Sequence, residues 1–417
     1  MRKMTYVKWL FTVAATMGLA SSATAQDALP LNMADAVLNA PQPNLIQQID
    51  CECPTVCDDI ACDIDCLGCD SCDGCGSGCG LGGFDLGSAL FGDDSAIDVG
   101  GWMQFGYTSG DTGLFNSDPH KLNAHQLWIY TEKVADGSEG LDWGFRFDMM
   151  YGTDAGDTQS FGNNDGNWDY HSTDRNFWAN HGIYGWAIPQ LYAEVAMGDL
   201  SVKAGHFYTL LGYEVVTAPD NFFFSHAFTM YNSEAFTHTG VLATYNVGDN
   251  ITAYGGWTLG WDTGFDQFDG GSSFLGGASA GLGDDLTVTY ILTAGNLGAN
   301  GNGYTHSVVA DYAVTEKLNY VIQSDLVRFT DTATDTIGVN QYLIYALNDM
   351  IGVGGRYEWW KTDGSSVNAL TAGVNIKPTD NLILRPEVRH QWTSTANTAG
   401  LPTDDDTIFG MDAILTF

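Results

Sequence analysis

The carboxyl-terminal ten residues constrain this chain most. Counting back from the end, Phe417, Leu415, Ala413, Met411 and Phe409 are all apolar, while Thr416, Asp412 and Gly410 fall on the opposite parity. A period of two is the mark of a β-strand with two unlike faces. The pattern returns about sixteen times from Ile97 onward, as expected where one parity faces lipid and the other a wet interior. Leu141, Trp143, Phe145, Phe147 and Met149 oppose Asp142, Gly144, Arg146 and Asp148. Ile251, Ala253, Trp257, Leu259 and Trp261 oppose Thr252, Tyr254, Thr258 and Asp262, and Leu382, Leu384 and Val388 oppose Arg385, Glu387, Arg389 and Gln391. After the first thirty residues no run of eighteen apolar residues occurs, which excludes helical membrane spanning. The expected fold is all-β, a transmembrane antiparallel barrel of about 16 strands (14–18) preceded by a short Cys-rich segment.

The strand segments read as 97–109, 122–133, 141–151, 187–197, 200–210, 236–247, 250–262 and 273–281, then 284–295, 303–313, 317–330, 336–348, 350–361, 366–376, 381–392 and 408–417. Their connections alternate in length, an independent sign of a membrane barrel. One set is tight and rich in Gly, Asn and Asp, such as Met197-Gly198-Asp199 and Asn348-Asp349, which suits short hairpins. The other set includes 110–121, 152–186, 211–235, 263–272 and 393–407. This alternation places both ends of the barrel domain on the short-turn, periplasmic side.

Residues 1–25 read as a secretory signal peptide: a basic start, an apolar stretch from Leu10 to Ala20, and Ala23-Thr24-Ala25 before Gln26. Residues 26–50 form a linker broken by Pro41 and Pro43, 80–96 a Gly-rich linker, and 97–417 the barrel. Between them, 51–79 hold all nine cysteines, Cys51, Cys53, Cys57, Cys62, Cys66, Cys69, Cys72, Cys75 and Cys79, interleaved with acids and without a base. Such a segment has no apolar core, so its order must come from cross-links or metal. Disulfides are the default in an exported chain, and the odd number leaves one thiol free or in an intermolecular bridge. Repeated C-x-x-C is also ligand spacing for zinc or an iron-sulfur cluster. Exported thiols rarely stay reduced and no His accompanies these, so no metal and no cofactor is assigned.

The formal net charge is −36, with 15 Lys plus Arg against 51 acids, and three of those bases lie in the leader. Phosphate binding depends on clustered bases, so nucleic acid is excluded as a partner and cations are the favoured company. His206, Asp220, Ser225 and His226 invite a Ser-His-Asp reading. Adjacent Ser225 and His226 on an extended chain point to opposite sides, and no G-x-S-x-G elbow occurs, so no enzyme is expected.

Residues 204–245, AGHFYTLLGYEVVTAPDNFFFSHAFTMYNSEAFTHTGVLATY, with GGWTLGWDTGFD following, resemble the OmpL-like family of outer-membrane β-barrel porins, and the likeness extends from about Gly100 to Phe417. The terminal strand ending in Phe417 resembles the closing strand by which the barrel-assembly machinery recognises its clients. The resemblance implies a passive water-filled pore for small hydrophilic solutes in the outer-membrane lipid of a bacterium, and allows a homotrimer. The expected pore-lining residues are Asp142, Arg146, Asp148, Lys203, Arg328, Arg356, Glu358, Arg385, Glu387 and Arg389. Loop 211–235 is aromatic and poor in charge, so it must be packed somewhere. Folded inward it would form a constriction with Asn221, Phe222, Phe223, Phe224, His226 and Phe228; the alternative is a cap on the rim. Acids in the outer loops, namely Asp154, Asp157, Asp165, Asp169, Asp266, Asp269 and Asp404 to Asp406, favour cation passage. The rival reading is a structural or adhesive surface protein that uses the barrel as an anchor.

Overall fold

A computed structural model describes residues 86–92, 95–171, 182–266, 270–362, 364–393 and 405–417. The leader, the 26–50 linker and the cysteine segment lie outside these residues. A short helix α1 (Leu86–Phe91), within the stretch read as linker, precedes the first strand.

The strands are β1 (Asp98–Thr108), β2 (Leu122–Lys133), β3 (Asp142–Gly152), β4 (Gly185–Met197), β5 (Leu200–Tyr208), β6 (Thr237–Asn246), β7 (Ile251–Thr258) and β8 (Ser272–Gly281). They continue as β9 (Leu286–Asn296), β10 (Asn302–Thr315), β11 (Leu318–Phe329), β12 (Thr334–Asn348), β13 (Ile351–Thr362), β14 (Ser365–Thr379), β15 (Leu382–Thr393) and β16 (Asp406–Thr416). Each pairs antiparallel with its sequence neighbours, and β1 pairs with β16, closing the barrel. Phe417 exchanges both backbone hydrogen bonds with Gly101, so the final residue is stitched into the first strand. Closure leaves no unpaired edge, which a sheet immersed in lipid requires.

The alternation works as its chemistry demands. Trp143, Val195, Val241, Trp257 and Val388 are exposed on the outer face, while Arg146, Asp148, Glu358, Arg385 and Asp412 alternate with such residues and are buried inside. One correction concerns the expected strand 250–262. β7 ends at Thr258, because Gly260 takes a positive φ of 112° and turns the chain. Trp261 then packs inward with Leu275, Ile291 and Leu297, its Nε1 donating to Thr293 Oγ1, instead of facing lipid.

Candidate functional site

Between β5 and β6 the chain enters the barrel and crosses it. Its short helix α3 (Phe228–Ser233) lies near β12 and β13; an earlier helical turn, α2 (Ala155–Thr158), belongs to the β3–β4 loop. The loop reaches strands on both sides of the wall through hydrogen bonds. Gly212 N–H donates to Ser307 Oγ on β10 and Tyr213 N–H to Gln323 Oε1 on β11. On the opposite side Gln126 of β2 donates to Val216 O at 2.8 Å and accepts from Ala218 N–H at 3.1 Å.

Charged wall residues supply the strongest of these contacts. Arg356 donates from Nε to Glu358 at 2.8 Å and from Nη1 to both Glu214, at 2.6 Å, and Ser225 O, while Nη2 donates to Ser225 Oγ. Arg389 donates to Glu358 at 2.6 Å, while Glu358 also accepts the Phe228 N–H. Arg385 donates to the carbonyls of Ala218 and Asn221 and pairs with Asp412. Glu387 accepts two consecutive loop amides, Phe224 N–H at 2.9 Å and Ser225 N–H at 3.1 Å. The wall thus answers backbone groups that an irregular loop cannot satisfy by itself. Glu214 is the loop's own charged anchor. Burial alone would raise its carboxyl, but Arg356, His226 and the Ala227 N–H outweigh burial and hold it at about 2.

Shape completes the fit. The loop's aromatic side chains sit against wall positions that have no side chain. A Cβ on Gly354 would come within 2.5 Å of the Phe222 ring, one on Gly106 within 2.5 Å of the Phe224 ring, and one on Gly373 at 3.2 Å from the Phe223 ring. On β12, a Cβ on Gly338 would meet Thr229 Oγ1. Arg356 and Arg389 also lie over the Phe223 and Phe228 rings, at 5.0 and 4.6 Å.

The expected site residues therefore divide. Arg356, Glu358, Arg385, Glu387 and Arg389 come together inside the barrel, as the loop's docking surface. Arg356–Glu358 is a local pair, whereas Arg385 and Glu387 serve different partners. Arg146 pairs with Asp148 and Glu132. Lys203 is buried over the Tyr192 ring at 4.8 Å and lines a cavity of ≈ 40 Å³ with Gln190, Glu214 and Glu234. Asp142 lies at the short-turn rim, bonded to Lys133. Arg328 falls on the other parity, next to buried Val327, and pairs with Asp335.

Asn221 ties the loop to itself through Val215 and Thr217, and Phe222, Phe223, Phe224, His226 and Phe228 are all buried. His206 bonds Thr239, while Ser225 Oγ accepts from Arg356, so the two do not assemble a triad. Among the outer-loop acids, Asp154 is buried against His125 and Gln126, and Asp169 caps Ser160 and Ile188 amides; Asp165, Asp266, Asp405 and Asp406 are exposed. Asp269 and Asp404 lie outside the described residues. Sequence reasoning missed Glu214, Gln126, Gln323 and Asp412. An acid in a loop otherwise so apolar was the available signal for Glu214, and parity the signal for Asp412.

Three comparisons bear on this arrangement. The family model described as "Putative beta-barrel porin-2, OmpL-like" matches residues 95–417. No curated protein matches the sequence. Among solved structures, the outer membrane channel DcaP of Acinetobacter baumannii superposes with a TM-score of 0.53 at 12% identity, over 77% of this chain and 97% of that one. An anion-selective porin from Comamonas acidovorans gives 0.52 at 12% identity over 77% and 99%. A mutant porin of Rh. blastica gives 0.51 at 14% identity over 77% and 100%. At these identities the likeness is one of fold.

Proposed function

Since the chain belongs to the "Putative beta-barrel porin-2, OmpL-like" family, we propose that this outer-membrane porin is a passive channel for small hydrophilic solutes whose narrow point is set by the β5–β6 loop. The observation that carries the reading is the loop's clamping inside the barrel by Arg356, Glu358, Arg385, Glu387 and Arg389. A loop tied to the wall at so many points narrows the passage from within instead of capping the rim. A buried polar wall of this kind would be costly in a barrel that served only as an anchor.

The passage favours cations. The buried bases Arg146, Arg356, Arg385 and Arg389 are bonded to acids, and the exposed outer-loop acids Asp165, Asp266, Asp405 and Asp406 add further negative charge at the mouth. Like-sign charge along a passage concentrates counter-ions, an effect that fades as salt shortens the Debye length to about 3 Å at 1 M. Asp220 adds a pH term. Burial raises its carboxyl to about 6 against the lowering pull of Thr217, Arg146 and Arg385, so it loses its charge as pH falls through that value. Single-channel recording in a planar bilayer with a salt gradient tests the whole reading. Conductance with a cation-side reversal potential, weakening below about pH 6, is expected. Anion preference at low salt would remove the selectivity claim, and absence of conductance would favour the anchor.

A further inference from the structure

The loop's two roots meet at a node that lacks a base. Tyr213 N–H, at the entering root, donates to Gln323 Oε1 on β11. The Nε2 of the same Gln323 donates to two carboxylates, Glu234 at the leaving root and Asp325 on β11. Gly212 packs directly on Glu234, since a Cβ there would run into Glu234 Oε2, and its N–H is tied to Ser307. Asp325 and Gln323 are fully buried and Glu234 is 7% exposed. Among the described residues, no ion pair joins either carboxylate to a Lys, Arg or His. The remaining charged groups near Glu234 are Glu214, already engaged by Arg356, and Lys203, which lines the same cavity.

Two carboxylates held against one amide nitrogen in so dry a place cannot both ionise without strong repulsion. A proton shared between them removes the repulsion and leaves both as acceptors for Gln323.

We propose that Glu234 and Asp325 form a proton-held latch that fastens both roots of the β5–β6 loop to β10 and β11, and that loss of this proton to lumen water releases the loop and widens the passage. The proposal rests on the channel reading above. The sign follows from linkage. Burial, reinforced by the charge of Asp325, raises the Glu234 carboxyl well above its ordinary range, so the docked loop holds the proton more tightly than the released loop does. Docking is therefore at full strength at low pH and is lost as pH rises through the raised value. The latch is thus distinguishable from Asp157 and Asp220, which charge at about 6.

Single-channel currents of the full chain across an acid-to-alkaline series provide the test. Wild type should keep a steady conductance on the acid side, then show a rise with open-state flicker as the medium becomes alkaline. Glu234→Gln, which stays neutral and still accepts the Gln323 amide, should lose that alkaline step while retaining the acid-side conductance; Asp325→Asn should do likewise. An alkaline step unchanged in both variants, or absent from wild type, overturns the latch. Protease cleavage inside 211–235 of the wild-type barrel gives a second readout independent of variant folding. Cleavage appearing only at alkaline pH supports the latch, and protection throughout the series overturns it. A chain that never conducts would overturn the channel reading instead.

Discussion

Arg356 shows how much of the interior depends on single side chains. Its guanidinium is fully buried between Glu214 and Glu358 and holds Ser225 by both oxygens. An intact buried ion pair contributes little net stability, but removing one partner typically costs about 3–5 kcal/mol because the other charge is left stranded. Arg356→Ala should spend that loss on the loop and not on the strands, which their backbone ladders hold. The expected outcome is a barrel with near-wild-type heat resistance on a gel, together with protease-sensitive 211–235 and a larger, noisier conductance. Arg356→Lys should rescue poorly, since a single ammonium cannot reproduce the fork that meets two carboxylates.

At the scale of elements, strands and loop were not equally legible. All sixteen strands could be read because alternation is a local property imposed by lipid on one side. The end of β7 was misread because Leu259 and Trp261 continue the parity past Thr258, and parity alone cannot report that Gly260 turns the chain inward. The loop's apolar character signalled that it must be buried, but not against which strands. Glu387 and the amides of Phe224 and Ser225 are brought together only by closure of the barrel. Arg328 was placed in the lumen on charge, whereas it pairs with Asp335 on the other face. Replacing 214–233 by a short Gly-Ser link tests the loop as an element. The strands should still close, and conductance should rise severalfold because no other described connection crosses the interior this way. A conductance equal to wild type would mean that the narrow point lies elsewhere.

The described strands form a closed ring of sixteen, antiparallel throughout, with Phe417 bonded to the first strand. Removing Phe417 should weaken the β1–β16 seam, since it takes away both backbone bonds to Gly101. The expected result is a lower yield of closed, heat-resistant barrel on refolding in detergent; a yield equal to wild type would mean that the seam does not depend on this residue. The glycine positions that receive Phe222, Phe223 and Phe224 carry a different consequence, for how such a protein can change. Each is one half of a lock whose other half is far away in sequence: 354 with 222, 373 with 223, and 106 with 224. A mutation that enlarges either half evicts its mate, so viable drift has to move in correlated pairs. Randomising the loop alone would mostly yield unseated liners, whereas exchanging loop and sockets as a cassette would re-gauge the bore on an unchanged ring.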